Sequence, residues 1–345
     1  MDNKGNLDLT GLFCDELAQW LQSKGFAAYR AKQLFDWIHR RVCVRFQDMG
    51  NLPKDLIALL QAECESPLPL EERTRQKSRD GTEKYLFALK DGAAVETVLI
   101  PEDERRTVCI SAQVGCAMGC SFCATGLSGF TRNLSAGEIV GQVLWVENRL
   151  RGEGSSITNV VYMGMGEPLA NYRAVLKSLR LLNDPLGLNL GARRLTISTC
   201  GLVPEIKRLA QEELQVNLAI SLHAAHNRQR TEIMPINKRY PLEELLAAAR
   251  YYTERTGRRI SFEYALIKDF NDGAADAHRL RDLLSGLLCH VNLIPVNPVV
   301  DARRPAAAEI KAFAEILAAG QIPVSIRKER GSDIDAACGQ LRGKV

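Results

Sequence analysis

The alternation of short apolar segments with longer amphipathic ones, from about residue 105 onward, most limits the folds open to this chain. The apolar segments have the length and β-branched content of buried strands. They lie at 107–112, 157–163, 194–199, 216–222, 260–266, 291–296 and 323–328. Segments between them, such as 135–150, 241–257 and 306–320, carry apolar residues at helical spacing. This alternation predicts a parallel sheet whose strands are joined by helices.

The number of strand–helix units indicates how the sheet closes. Six or so units are fewer than the eight of a closed parallel barrel. We therefore predict an α/β fold built on an incomplete (β/α)6 barrel, with an open doubly wound sheet as the alternative. In a parallel barrel the functional site lies beyond the carboxyl ends of the strands. Most of the motifs described below fall at such ends or shortly after them.

The first 90 residues have a different pattern. Two runs at helical spacing contain Leu12, Leu17, Trp20 and Leu21, then Ala31, Leu34, Phe35 and Ile38. The segment 84–100 is then typical of two strands around the turn signal Asp91-Gly92. We predict three parts: a small N-terminal helical accessory domain (1–90), the barrel (91–330) and a C-terminal extension loop (331–345).

Composition indicates where the protein is expected to be located and which roles its cysteines can have. The chain is 46% hydrophobic and has a net charge of +4, too small an excess to indicate nucleic-acid binding by itself. No run of about 18 apolar residues predicts a membrane span. The N-terminal segment lacks the pattern of a secretory signal, so a cytoplasmic location is expected. The ten cysteines are then unlikely to form a static disulfide framework, and clustered ones should be metal ligands or redox groups.

Three cysteines follow the first predicted barrel strand as Cys116-Ala-Met-Gly-Cys120-Ser-Phe-Cys123. Three thiolates this close can hold one 4Fe–4S cluster and leave its fourth iron without a protein ligand. An open iron can chelate the amino and carboxylate groups of S-adenosylmethionine (SAM). The alternatives are a structural zinc, which usually needs four ligands, and unrelated buried cysteines. The CxxxCxxC spacing resembles the radical SAM superfamily, and the barrel is then expected to be a radical SAM barrel.

Polar residues at later strand ends could complete a SAM site. Gly166 and Glu167 follow the second strand in a glycine-rich turn, where Glu167 could accept a hydrogen bond from an ammonium group. The other candidates at successive strand ends are Ser198, Ser221, Leu222, His223 and Asn297. Each alone is more typical of a capping or turn residue. Together they predict a pocket.

Three further residues stand apart from that pocket. Cys109 lies on the first barrel strand, Cys338 lies in the loop past the last strand, and Glu96 is flanked by apolar residues. Judged from the residues alone, Cys109 is as well explained as a buried core residue and Cys338 as a surface thiol.

Several longer motifs resemble one family. They are QVGCAMGCSFCATGLSGFTRNL, VYMGMGEPLANY, AISLHA, IMPINKRYP, VNLIPVNP and DIDAACGQL. The chain resembles the radical SAM RNA methyltransferases that modify carbon 2 or carbon 8 of adenine. The match around Glu96 and the C-terminal loop favours carbon 2 over carbon 8. One departure is Cys200, where the family often has serine.

The resemblance implies a mechanism. Cys338 would receive a methyl group from one SAM, and a radical derived from a second SAM would activate it for addition to adenine. Glu96 would remove the proton from the adenine carbon, and Cys109 would release the product by forming a transient disulfide with Cys338. The resemblance also implies one 4Fe–4S cluster on Cys116, Cys120 and Cys123, two SAM per turnover, 23S rRNA and tRNA as substrates, and a flavodoxin-type electron donor. A monomer is expected.

Basic runs give modest independent support for RNA binding. One run contains Tyr29, Arg30, Lys32, Arg40, Arg41 and Arg45 around Trp37 and His39, and another contains Arg73, Arg75, Lys77 and Arg79. Such runs can follow phosphates, and aromatic side chains can stack on unpaired bases. The alternative for each run is an ordinary solvated surface. Outside the methyltransferases, an iron–sulfur electron carrier or sensor and a zinc-stabilised RNA-binding protein remain as other classes.

Overall fold

The computed structural model describes residues 7–64, 66–297 and 303–343. Twelve strands are found there: β1 (Leu70–Lys77), β2 (Glu83–Leu89), β3 (Ala94–Glu102), β4 (Arg105–Cys109), β5 (Gln113–Gly115), β6 (Phe130–Asn133), β7 (Asn159–Tyr162), β8 (Leu195–Thr199), β9 (Asn217–Ser221), β10 (Ile260–Leu266), β11 (Cys289–Pro295) and β12 (Val324–Ile326). All seven strands predicted beyond residue 105 are present.

Eleven α-helices are found in the same residues: α1 (Cys14–Ser23), α2 (Arg30–Phe35), α3 (Lys54–Cys64), α4 (Ala124–Leu127), α5 (Ala136–Gly152), α6 (Tyr172–Asn183), α7 (Val203–Leu209), α8 (Asn227–Ile233), α9 (Leu242–Thr256), α10 (Ala274–Leu284) and α11 (Ala307–Ala319). None of them is long and apolar enough to cross a membrane. The start of α5 shows why these helices begin where they do. Ser135 accepts a hydrogen bond from the Glu138 N–H, and Glu138 accepts one from the Ser135 N–H. Such a capping box stabilises a helix by about 1 kcal/mol.

The strand order identifies the architecture. In the ten-stranded sheet the order is β1-β2-β3-β4-β7-β8-β9-β10-β11-β12, and all neighbours from β4 to β12 are parallel. The order advances without the reversal that marks a doubly wound sheet. Among the described strands β4 and β12 do not pair, so the sheet curls without closing. The prediction of an incomplete barrel is confirmed.

An antiparallel extension continues this sheet beyond β4. Strand β3 pairs with β4, β2 with β3, and β1 with β2. The turn between β2 and β3 is at Asp91-Gly92, where Gly92 has a φ of +85° that favours glycine. The predicted boundary between residues 90 and 91 therefore falls inside a hairpin of a continuous sheet. The division into three parts remains a prediction.

The N-terminal helices pack on the outside of the barrel helices. Leu17, Leu21 and Leu34 are fully buried, and burying one such side chain contributes roughly 1.5–3 kcal/mol. Polar contacts add to this packing, since Lys177 of α6 pairs with Glu16 of α1 at 2.7 Å. The accessory helices thus share one core with the barrel.

Candidate active site

The loop with the three cysteines is held by a small antiparallel ribbon. Strands β5 and β6 pair on either side of the loop, and the Cys116 N–H donates to the Gly129 carbonyl at 2.7 Å. Gly115 has a φ of +74°, and a Cβ there would lie 2.0 Å from the Gly129 oxygen. A larger residue at position 115 would therefore open the ribbon. The loop geometry follows from glycine placement as much as from the cysteines.

A small apolar cluster packs against the cysteine loop. Met118, Cys120 and Phe122 pack against a buried group formed by Cys200, Ile233 and Met234. Phe122 also contacts the His223 ring edge to face, with centroids 4.7 Å apart. The loop is therefore shaped by protein packing.

The donor set fits an iron–sulfur cluster. Burial raises the pKa of the Cys116 thiol to about 11 and also raises the pKa of Cys120. Buried thiols become ligands when a metal stabilises the thiolate. Within the described residues no three His, Cys, Asp or Glu side chains gather tightly around a single ion. The thiolates of a cubane bind different irons, so they need not converge on one point. Three cysteines with no fourth ligand suit a cluster that keeps one open iron.

A cavity lies beside this loop, beyond the carboxyl ends of the barrel strands. This first cavity measures about 980 Å³, with the space open to solvent included. All three loop cysteines line it. Six of the seven residues predicted for a SAM site also line it: Gly166, Glu167, Ser198, Ser221, His223 and Asn297. The seventh, Leu222, does not, because its side chain is fully buried in the core.

The Glu167 carboxylate is fixed by backbone donors from two strand ends. Its Oε1 accepts from the Leu169 N–H at 3.0 Å, and its Oε2 accepts from the Cys200 N–H at 2.7 Å. Burial raises the pKa of Glu167, and these hydrogen bonds oppose the rise. Gly166 allows the close turn, since a Cβ there would lie 2.4 Å from the Gln113 Cβ. The side chains of Thr199 and Cys200 also form hydrogen bonds with this carboxylate, which lines the cavity.

His223 is a neutral donor on the opposite wall. Its Nδ1 accepts from the Ala265 N–H at 2.8 Å, so the neutral ring carries its proton on Nε2. Burial, with the Arg230 charge nearby, lowers the pKa of His223 to about 3. The residue has a φ of +58°, a left-handed conformation that turns the chain at the end of β9. Near neutral pH the ring can therefore donate without carrying a charge.

Arg230 was not predicted, and it joins the ends of two strands. Its guanidinium is fully buried and donates to the carbonyls of Leu222, Cys200 and Ser221 at 3.1, 2.6 and 3.2 Å. It also donates to Asn237 Oδ1 at 3.0 Å. In the sequence Arg230 is one of several charges on a short polar helix, and nothing separates it from the exposed ones. Cys200 has a structural role here through its backbone.

We expect Arg230→Met to destabilise the chain by about 3 kcal/mol, because it leaves several buried acceptors without a donor. The midpoint of urea unfolding measures the loss. Arg228→Met is the matched control, since Arg228 lies on the same helix and is exposed. Equal, small shifts in the two variants would show that Arg230 does not hold the strand ends.

The C-terminal segment 331–343, here called the tail, crosses the mouth of the first cavity. The Ala124 N–H donates to the Gly339 carbonyl at 2.7 Å, and Thr125 Oγ1 donates to the Leu341 carbonyl at 2.6 Å. Asn297 Nδ2 donates to the Cys338 carbonyl at 3.0 Å. These bonds hold Cys338 near Ala124, the residue that follows Cys123. The tail and the cysteine loop form one assembly.

The tail covers Glu96. The Glu96 Oε2 accepts from the N–H groups of Arg342 and Gly343 at 2.6 and 3.0 Å. Its Oε1 pairs with Lys84 Nζ at 3.2 Å, and that Nζ also donates to the Asp335 carbonyl. Glu96 does not line the first cavity. The structure therefore does not bring this predicted base to the cavity in the conformation described.

Cys109 and Cys338 are neighbours at the end of β4, and both thiols are free. Burial, with Cys338 beside it, raises the pKa of the Cys109 thiol to about 12, while the charge of Arg327 opposes the rise. The half-buried side chain of Arg327 forms a hydrogen bond with Cys338 and faces the carboxylate of Glu263. Cys338 lines the first cavity and also a second one, which lies between β3, β4, β11, β12 and the tail.

Arg327 is a second residue that was not predicted. The alternation around β12 gives no signal for it, because a period-two pattern with the apolar residues Val324 and Ile326 predicts that Ser325 and Arg327 face solvent. The structure has the opposite arrangement. Ile326 is 46% exposed, whereas Ser325 and Arg327 both line the second cavity.

The N-terminal basic run differs in part from the prediction. His39 is buried in the core, where it stacks on Phe35, so it cannot stack on a base. Arg41 pairs with Asp36 at 2.6 Å, and Arg45 pairs with Asp48 at 2.8 Å. These carboxylates reduce the positive field of the run. In the other run, Arg73 and Lys77 pair with Glu71 and Glu83.

Two family models match the chain. Residues 110–280 match the radical SAM superfamily, and residues 7–65 match the ribosomal RNA large subunit methyltransferase N-terminal domain. The first match contains the cysteine loop and most of the first cavity. The second covers the N-terminal helices.

Full-length relatives extend these matches. A probable dual-specificity RNA methyltransferase RlmN from Geobacillus kaustophilus is 48% identical over 96% of this chain and 92% of the relative. Another with the same name, from Natranaerobius thermophilus, is 48% identical over 98% of this chain and 97% of the relative. The crystal structure of a radical SAM methyltransferase from Sphaerobacter thermophilus aligns with a TM-score of 0.95 at 50% identity. It covers 97% of this chain and 99% of that chain.

Proposed function

We propose, because the chain belongs to the RlmN family of radical SAM RNA methyltransferases, that it methylates carbon 2 of adenine in 23S rRNA and in tRNA. One observation carries the proposal: Cys338 lies between the cavity lined by the three-cysteine loop and the thiol of Cys109. A simple SAM-dependent methyltransferase needs neither cysteine. A methyl carrier that must later be released needs both.

The chemistry of adenine explains why a carrier is needed. Carbon 2 lies between two ring nitrogens and is electron-poor, so it does not attack the electrophilic methyl group of SAM. A thiol does so readily once it is a thiolate. Cys338 would therefore take the methyl group first and present it to the adenine. Arg327, hydrogen-bonded to Cys338, would stabilise that thiolate.

The residues of the first cavity divide into two sets by their chemistry. Cys116, Cys120 and Cys123 would hold the 4Fe–4S cluster, which supplies one electron for the reductive cleavage of SAM when it is bound. Glu167 would accept from the SAM amino group. The remaining cavity residues would contact its carboxylate, ribose or adenine: Ser198, Ser221, His223 and Asn297. The proposal includes two SAM per turnover, a flavodoxin-type electron donor and a monomeric enzyme.

Release of the product would depend on Cys109. Once the radical adduct has lost one electron, the Cys109 thiolate would attack the sulfur of Cys338, forming a disulfide as the bond from that sulfur to the methylene carbon breaks. The bonding electron pair stays with the methylene carbon and the adenine, and that carbon takes up a proton to become the methyl group. The raised pKa of Cys109 keeps it protonated until then. Arg327 faces both sulfurs and would assist the deprotonation. The product would then leave with its new methyl group.

Glu96 is proposed as the base that removes the proton from the adenine carbon. Its Oε2 is occupied by two tail N–H groups in the conformation described. Arg342 and Gly343 must therefore leave Glu96 before it can act. RNA binding at the mouth of the cavity is the proposed trigger.

The amides of Arg342 and Gly343 are accordingly expected to exchange hydrogen faster when substrate RNA binds, because they lose the Glu96 acceptor. Hydrogen exchange read by mass spectrometry of tail peptides measures the change. The Gly331 amide, which donates to Asp80 at 2.9 Å, is the internal control and should not change. Unchanged exchange at residues 342 and 343 in an RNA complex that turns over would remove the proposed trigger.

Mass spectrometry of adenosines tests the reaction itself. RNA is incubated with anaerobic holoenzyme, SAM and a reductant, then digested to nucleosides. The proposal expects 2-methyladenosine from both 23S rRNA and tRNA. Methylation at carbon 8, or none from an enzyme that still cleaves SAM, would contradict it.

A further inference from the structure

The second cavity opens on the side of the barrel where β4 and β12 do not pair. It measures about 1760 Å³, with the space open to solvent included. Its inner end is formed by Cys109, Cys338 and Arg327. Its rim is formed by Glu102, Arg105, Lys328, Glu329 and Arg330. The cavity thus connects the protein surface with the pair of thiols.

The two sulfurs have unequal access. Cys338 lines both cavities, whereas Cys109 lines the second and not the first. SAM and the target base are proposed to occupy the first cavity. A molecule that approaches Cys109 from solvent would therefore come through the second.

The rim has an excess of positive charge. Glu102 faces Arg330 at 3.7 Å, and Glu329 pairs with Arg304 at 2.7 Å, so both carboxylates are balanced. Arg105 and Lys328 are exposed, and neither forms an ion pair within the part of the chain that the structure describes. A mouth with unbalanced positive charge attracts anions and raises their local concentration.

The inner end favours attack on Cys109 over attack on Cys338. In thiol–disulfide exchange the sulfur with the lower pKa leaves faster. Burial raises the pKa of Cys109 to about 12, which makes Cys109 a poor leaving group. Attack on the Cys109 sulfur instead expels Cys338, the sulfur that forms a hydrogen bond with Arg327.

We propose that the second cavity admits a small anionic thiol that reduces the disulfide between Cys109 and Cys338. This rests on the proposed function, which forms that disulfide once per turnover. The incoming thiolate bonds to Cys109, and Cys338 leaves as a thiolate and takes up a proton. A second thiol attacks the mixed disulfide and releases Cys109. Two external thiols become one external disulfide, and two protein thiols are restored, so atoms and electrons balance.

Reduction rates measured with thiols of different charge test the route. Anaerobic holoenzyme whose Cys338 peptide carries no methyl group by mass spectrometry is oxidised with diamide, and peptide mapping confirms the Cys109–Cys338 bond without any RNA reaction. The probes are 2-mercaptoethanesulfonate, 2-mercaptoethanol and cysteamine, which are anionic, neutral and cationic. Each rate is divided by that thiol's rate with a small linear disulfide. We expect the anion to exceed the cation by about tenfold at low salt, and the difference to shrink at high salt.

Charge reversal at the rim provides the second measurement. Arg105→Glu and Lys328→Glu should each lower the anion-to-cation ratio by about threefold, and the double variant by more. Lys311→Glu is the matched control, because Lys311 is exposed on α11, outside the rim. The anion-to-cation rate ratio of Lys311→Glu should equal that of the wild-type chain.

The outcomes separate this inference from the proposed function. If diamide forms no Cys109–Cys338 bond, both are overturned. If the bond forms but the anion-to-cation rate ratio is near one, or does not change on charge reversal at the rim, only the route through the second cavity is overturned. If rim reversal weakens RNA binding and leaves the ratio unchanged, the rim contacts RNA and the route is again overturned.

Discussion

Cys109→Ala is expected to accumulate a covalent protein–RNA species that survives denaturation. In the proposed mechanism the variant can still methylate Cys338 and add it to the adenine, but no thiol remains to release the product. The expected change is from no detectable adduct to a large fraction of the protein. A denaturing gel, run with and without ribonuclease, shows the adduct as a band whose extra mass is lost on digestion. The substitution itself should cost only about 1 kcal/mol, as a small truncation of a buried side chain.

Three variants make the result specific. Cys338→Ala should give no adduct, and the double variant should behave like Cys338→Ala, because the two groups act in sequence. Cys289→Ala is the matched control for removing a buried cysteine, since Cys289 is 4% exposed at the start of β11 and lines neither cavity. It should methylate RNA and release it. If Cys109→Ala methylates RNA normally and forms no adduct, Cys109 only packs in the core and has no role in product release.

Alanine at any one of Cys116, Cys120 or Cys123 is expected to abolish formation of 5′-deoxyadenosine from SAM. Losing one thiolate leaves two ligands for a cluster that needs three. Chromatography of the SAM products and an iron assay measure the two consequences together. The wild-type chain should hold about four irons after anaerobic reconstitution.

Cys64→Ala is the control for this loss. Cys64 is a buried cysteine at the end of α3 and lines neither cavity, so its removal tests the loss of a thiol away from the cysteine loop. The variant should keep its iron and its SAM cleavage. Persistent 5′-deoxyadenosine from a variant that lacks all three loop cysteines would contradict the assignment of the cluster.

Local patterns predicted the barrel and the first cavity well. The strand segments carry their signal in a few adjacent residues, and the carboxyl ends of parallel strands necessarily meet at one edge. This is why Glu167, Ser198, Ser221, His223 and Asn297 line one cavity although their positions in the sequence are far apart.

Features set by distant pairing were not predictable. The contact of Glu96 with Arg342 joins residues 246 positions apart, and no local signal marks it. Arg230 and His39 look like ordinary polar helix residues until their burial is known. Leu222 is the converse case, because it lies between two cavity residues but its side chain points into the core.

The tail is made later in translation than every strand it contacts. Its hydrogen bonds from Ala124, to Asp80 and to Glu96 span between 215 and 251 positions of the chain. Contacts this remote form last, because the intervening chain must be ordered first. During synthesis the cysteine loop therefore stands uncovered while the end of the chain is still being made. That interval leaves the loop accessible from solvent until the tail docks across it.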